Sequence, residues 1–256
     1  MINVDFDFFN PNPSVDYQAI KHLLVQLFQR DSELFQLHSL TELILSQPSI
    51  GTTVKTDGEE SDPYALLTVV NMHMHQENPS IKALSSYFLQ KSASSPALQA
   101  SLQQLFSQTE NHVGLVLCER LINMPVQVVP HMYRMLKDEL EAKSAGNTFK
   151  FSHLIILSRT YHLSMEEESY LTNIKSDSAS GPSSKKKKKM KNATANAGAP
   201  STSRPADGIY SFHPEDECVK QPRDQESFGL DTRGRLMLVP FERFGEMVQN
   251  MGTVYV

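Results

Sequence analysis

Tryptophan is absent from this 256-residue sequence, and cysteine occurs only twice, at Cys118 and Cys218. Two cysteines make no disulfide framework, which favours a reducing, intracellular setting. Cys118 sits inside an apolar run, where burial raises a thiol's pKa and leaves it inert. Glycine is also sparse: the 11 glycines stand singly, without a G-x-G-x-x-G or G-x-x-x-x-G-K-[ST] loop to cradle phosphate. G-x-S-x-G and H-E-x-x-H are missing as well, so neither a nucleophile elbow nor a zinc-protease helix is indicated. No apolar segment approaches the ~20 residues that cross a bilayer, and the N-terminus carries no secretory signal pattern. The expectation is a soluble protein without evident catalysis, cofactor or resident metal.

What is present is organised around Val113–Leu140. Val113-Gly114-Leu115-Val116-Leu117-Cys118 is apolar on both faces and rich in strand formers, which suits a strand covered on both sides. Asn123-Met124-Pro125 breaks the run. Val129, Met132, Tyr133, Leu136 and Leu140 then fall on one helical face, and a second apolar run spans Phe149 to Leu157. Strand, helix and strand in that order predict a parallel crossover. The intervening turn, Leu121 to Pro125, lacks a glycine, and its proline removes a donor, so it holds no anion site.

The remaining chain reads as elements packed on this unit. Ile2 to Phe9 alternates as a half-buried strand, stopped by Asn10-Pro11-Asn12-Pro13, with Asn12 or Ser14 as a helix cap. Ile20, Leu23, Leu24, Leu27 and Phe28 form a core-facing helical stripe, and a short helix covers Leu37 to Leu45. Gly51 to Lys55 and Tyr64 to His75 are expected strands flanking an acidic turn. Asn78-Pro79 and Pro96 each open a helix. His73 and His75 would share a strand face, but two ligands make no site, and a strand turning toward solvent is the plainer reading. After residue 207, Gly208 to Val219 and Arg235 to Val239 are expected strands joined by an Asp231 to Gly234 turn. A terminal amphipathic helix carries Phe241, Phe244, Met247, Val248 and Met251.

Charge is distributed unevenly. Residues 176–207 are Ser, Ala, Gly, Pro and Lys with almost no large apolar side chain, the composition of a disordered insert inside a single domain spanning 1–256. This insert holds Lys185, Lys186, Lys187, Lys188, Lys189 and Lys191. Without these six lysines the formal charge falls from −5 to −11, so the body is acidic. An acidic body repels nucleic-acid phosphate and attracts basic partners. The tract matches a nuclear-import signal; a solvated charge run and a phosphate or lipid contact are the alternatives. No aromatic residue within it stacks on bases, so direct nucleic-acid binding is not expected. Asp57 to Asp62, Glu166 to Glu168 and, above all, Glu215, Asp216 and Glu217 are candidate acidic groups for holding a basic client.

These segments carry a resemblance. VDFDFFNPNPSVDYQAIKHLLVQLF, ALLTVVNMHMHQ, VGLVLCERLINMPVQVVPHMYRML, the lysine tract and FHPEDE resemble, in the same order and over nearly the whole chain, the BCCIP family of eukaryotic nuclear proteins. The resemblance implies an α/β fold similar to GNAT acetyltransferases: a mixed, largely antiparallel sheet with helices on both faces. It implies a nuclear protein that shuttles to the cytoplasm, meets import and export receptors, and chaperones a basic large-subunit ribosomal protein. Ribosome biogenesis follows from that role. Animal members are further associated with DNA-repair and cell-cycle regulators. Members usually carry a long acidic tail ahead of the first strand, whereas this sequence starts almost at the strand.

Overall fold

The computed structural model describes residues 5–47, 50–143, 149–162, 209–219, 228–231 and 234–255. The apolar run becomes β4 (His112–Arg120), in the middle of an eight-stranded sheet. Its neighbours are β3 (Ala65–Asn71), antiparallel, and β5 (Phe151–His162), parallel. Helix α5 (Val128–Lys143) makes the crossover between β4 and β5, as the strand-helix-strand pattern predicts.

Outward from β3 lie β2 (Thr52–Lys55) and the edge strand β1 (Asp7–Phe9), both antiparallel. On the other side, β5 pairs with β8 (Gly234–Pro240), which pairs with β7 (Phe228–Asp231). The short β6 (Ile209–Ser211) joins the far end of β5. The order β1-β2-β3-β4-β5-β8-β7 is therefore mixed and largely antiparallel. Strands from before and after residues 163–208 share one sheet.

Helices cover both faces, which is why β3 and β4 are apolar in consecutive positions. On one face α1 (Tyr17–Phe28), α2 (Leu37–Ser46), α3 (Pro79–Lys91) and α4 (Pro96–Ser107) bury Ile20, Leu24, Leu40, Ile44, Leu84 and Phe88 against Leu66, Leu115 and Ile155. On the other, α5 and α6 (Phe244–Tyr255) bury Met132, Tyr133, Leu136, Phe244 and Met251 against Leu67, Val116 and Ile156. Alternate residues of one strand thus feed two cores, each buried aliphatic side chain contributing ~1.5–3 kcal/mol. Gly114 allows β4 to approach its neighbours closely: a Cβ there would lie 2.8 Å from both Leu154 and Val69 side chains.

Two expected strands are shorter than their sequence patterns. Tyr64 to His75 ends at Asn71, because the Asn71 Oδ1 accepts from the backbone N–H groups of His73 (3.0 Å) and Met74 (3.1 Å) and turns the chain. Met74 is consequently exposed rather than on the core face. Gly208 to Val219 keeps only β6 as strand and Pro214–Val219 is a 3₁₀ turn; Asp231 and Gly234, the expected bounds of a turn after that strand, are instead the paired ends of β7 and β8. Asn78 does cap α3, its side chain accepting from Ser80 N–H at 2.9 Å. Helix α1 begins after Asp16, with no side-chain cap from Asn12 or Ser14.

Candidate functional site

The parallel pair β4 and β5 is in continuous register from Val113↔His153 to Val116↔Ile156, after a one-residue shift following His112↔Phe151. Beyond that, β4 continues against β3 as far as Arg120, while β5 continues against β8 to Arg159 and then against β6. The carboxyl ends of the two parallel strands therefore part. In open α/β sheets such an opening is where ligands enter. Here charged side chains from β4, β5 and the segment after β6 fill it.

Strand alternation puts Glu119 and Arg159 on the α1 side and Arg120 and Ser158 on the α5 side. Glu119 and Arg159 form a two-pronged ion pair, Oε2 to Nε at 2.8 Å and Oε1 to Nη2 at 2.9 Å. Arg120 grips Glu215 in the same manner, Nε to Oε1 at 2.9 Å and Nη2 to Oε2 at 3.2 Å, and donates from Nη1 to Met124 O at 2.8 Å. Ser158 Oγ donates to Asp216 Oδ2. His213, between the two pairs, has Nε2 2.8 Å from Glu119 Oε1. From α1, Gln26 Nε2 donates to Glu119 Oε1 (2.8 Å) and Arg120 O (2.9 Å). The segment itself is held by Phe212 N–H donating to Arg159 O and by Tyr255 Oη donating to Pro214 O. Phe212 also lies against the Arg159 guanidinium, 4.8 Å from its ring centroid.

Glu119 and Glu215 are each 2 % exposed and Asp216 6 %, so the electrostatics are those of an interior. Burial alone would raise the Glu119 carboxyl; the hydrogen bond and charge of His213, with Arg159, outweigh it and leave it lowered. Burial would likewise lower Arg120, but Glu215 raises it on balance. Asp216 has no guanidinium of its own. Burial, reinforced by the nearby Glu215 charge, pushes it up to about 7, and Ser158 only partly offsets this. Burial and the same carboxylates push the Cys118 thiol and the Tyr133 phenol far up, so neither is a nucleophile at neutral pH.

These positions correct one expectation. Glu215 and Asp216 face Arg120 and Ser158 inside the protein, not a client at the surface: following an apolar strand end, a carboxylate meets buried guanidinium before it meets solvent. The Glu217 side chain and the tract Lys185, Lys186, Lys187, Lys188, Lys189 and Lys191 lie outside the described residues. Cys118 stood out in the sequence as a thiol inside an apolar run, but Ser158-Arg159, a polar pair directly after the apolar run Leu154–Leu157, did not.

The histidines do not assemble a metal site. His73 Nε2 donates to Leu105 O at 3.0 Å and Nδ1 accepts from Val113 N–H at 3.1 Å, with its ring stacked on His112. Both nitrogens are occupied. Among the described residues no group of three or more His, Cys, Asp or Glu is arranged to hold a metal. A cleft beside the network, lined by Gln29, Asp31, Tyr87, Ser158 and Arg235, encloses about 40 Å³, room for a few waters rather than a cofactor.

The BCCIP family model matches residues 1–219, which include the first five strands, β6 and the segment that fills the opening. This chain belongs to the BCCIP family. Among BCCIP relatives, Protein bcp1 of Aspergillus fumigatus is 47% identical over 223 residues, 86% of this chain and 69% of that protein. Protein bcp1 of Schizosaccharomyces pombe is 37% identical over 276 aligned residues, covering 99% and 90% of the two chains. The crystal structure of BCP1 from Saccharomyces cerevisiae superimposes with a TM-score of 0.67 at 27% identity, covering 98% of this chain and 89% of that one.

Proposed function

We propose that this BCCIP-family chain is a non-catalytic nuclear adaptor that holds a basic client, a large-subunit ribosomal protein, and so supports its export and ribosome assembly. One observation carries the reading. Where parallel strands part and a ligand would enter, the protein's own Glu119, Arg120, Arg159, Glu215 and Asp216 occupy the space. We read the sheet as GNAT-like, with its cofactor position closed by that network. The acidic body supports binding of basic protein surfaces. The lysine tract serves import; it lies in the sequence between His162 and Ile209, which pair across β5 and β6. Shuttling through import and export receptors follows, and repair and cell-cycle partners belong to the same adaptor role.

The test has two arms. Calorimetric titration with acetyl-CoA is expected to be flat, and saturable binding would favour an acetyltransferase. Tagged protein recovered from cells is expected to carry basic ribosomal protein, lost when the exposed carboxylates are reversed to lysine. Retention of the same clients by that variant would refute the adaptor. Deleting residues 184–191 is expected to leave client binding intact and shift the protein to the cytoplasm.

A further inference from the structure

The adaptor reading leaves open which surface engages the client, and it is not the Glu215-Asp216 segment. The opposite end of the sheet has different properties. β1 is an edge strand, paired only with β2 among the described residues. Every second residue of an edge strand points its N–H and C=O away from the sheet, ready to pair with another chain. Proteins commonly blunt such edges with lysine, proline or a covering element. Here Pro11 follows the strand, but the strand itself is Asp7-Phe8-Phe9, with no lysine.

The charge around this edge has one sign. Asp5, Asp7, Asp57, Glu59, Glu60 and Asp62 are all exposed. None of them forms an ion pair with a described residue. Asp7 lies opposite Lys55 in the β1–β2 pair, and like charges gathered on one surface repel one another. The nearby base, Lys55, does not relieve this: its ammonium is fully buried, bonded to Asp16 Oδ1 at 2.6 Å and to Glu59 O. Meanwhile Phe6 and Phe8 pack partly buried against the α5–α6 core, which holds the strand in place. A firm, unpaired, one-sided acidic edge has an evident complement.

We propose that the outer edge of β1 receives an extended lysine- or arginine-rich segment of the client as an added strand. Backbone pairing gives the register, and alternate cationic side chains meet Asp5, Asp7 and the acidic turn after β2. This rests on the client-holding reading and names its surface.

The probe is a fluorescent alternating Lys-Val octapeptide, titrated into the full chain by anisotropy at low and high salt. Saturable binding, weakened by salt and about tenfold weaker for the Asp5→Asn/Asp7→Asn double variant, is expected. Both side chains are exposed, and unchanged thermal melting will show that the variant is folded. A peptide of the same charge, N-methylated at alternate residues on one edge, is expected not to bind. Equal binding of the methylated peptide would overturn strand addition, and equal binding by the double variant would overturn the location. A variant with the six tract lysines changed to Gln is expected to bind the peptide as the parent does; tighter binding would make the chain's own tract the occupant and overturn the client assignment. The adaptor reading itself fails only in the cellular recovery experiment, so the two can fall separately.

Discussion

Among the described residues, ion pairs are buried at two sites, and they are built differently. Near the start of α1, Asp16 and Lys55 form a pair with neither side chain exposed. Its charges are matched one to one: Asp16 Oδ1 takes Lys55, Oδ2 accepts from Asn12 N–H at 2.8 Å, and a second ammonium proton goes to Glu59 O. At the parting of β4 and β5, three carboxyl groups share two guanidinium groups and one imidazole, drawn from segments up to 95 residues apart. A pair ties one helix start to one strand. The network ties both sheet faces to the segment after β6, and Asp216, the carboxyl without a guanidinium, is pushed up to about 7 by burial. The lesson is that composition of a buried site decides whether it is a fixed clasp or a titrating one.

Removing one partner should be costly in the network. Arg120→Ala leaves Glu215 buried and unpaired, and urea denaturation should show a loss of about 3–5 kcal/mol. The contrast sharpens when both partners are replaced. Asp16→Leu/Lys55→Met should come back to within about 1–2 kcal/mol of the parent, because apolar replacement of a closed pair is nearly neutral. Arg120→Met/Glu215→Leu should stay more than about 2 kcal/mol below it, since Met124 O loses its donor and Asp216 its neighbour's constraint. Equal recovery by both double variants would erase the distinction.

The next effect is on pH. Asp216 keeps its proton in the folded state up to about 7, whereas its ordinary value is 3.8. Between those values the folded state binds more protons than the unfolded one, so this group's contribution to stability falls as pH rises and levels off above about 7. The span is on the order of 4 kcal/mol. Glu119, lowered in the folded state, acts with the opposite sign: its contribution is present above the ordinary carboxylate value and is lost as pH falls below it. Unfolding free energies measured from pH 4 to 8 should therefore flatten in Asp216→Asn; an unchanged slope would acquit Asp216.

Smallest of all should be the effect of the insert. Replacing residues 176–207 by Asn-Gly should leave the melting temperature unchanged or slightly higher, since shortening a loop relieves only about 1–2 kcal/mol of closure entropy. A clear fall would mean that residues 176–207 contribute contacts to the folded body.

What was legible in the sequence was local. The stripe Ile20 to Phe28, the Asn78 cap and the run-turn-stripe-run from Val113 to Leu157 each state their structure within a few turns of chain, and each formed as read. The family resemblance supplied the mixed sheet with helices on both faces. The network was not legible because none of its bonds is local: Glu119 meets Arg159 and Arg120 meets Glu215 only after the sheet exists. Asp216 read as surface because an acidic triplet usually is one. His75 read as strand because Met72 and Met74 alternate correctly, yet one amide side chain, Asn71, was enough to turn the backbone before them.

The position of β8 has a consequence for how the chain is made. β5 stands beside β4 on one flank and β8 on the other, and α6 closes one of the two cores. Both β8 and α6 are supplied by residues 234–255, at the far end of the sequence. A chain still under synthesis therefore presents β5 with one side bare. Until residues 234–255 have been made, the exposed flank of β5 is the stretch most in need of shelter from other nascent chains.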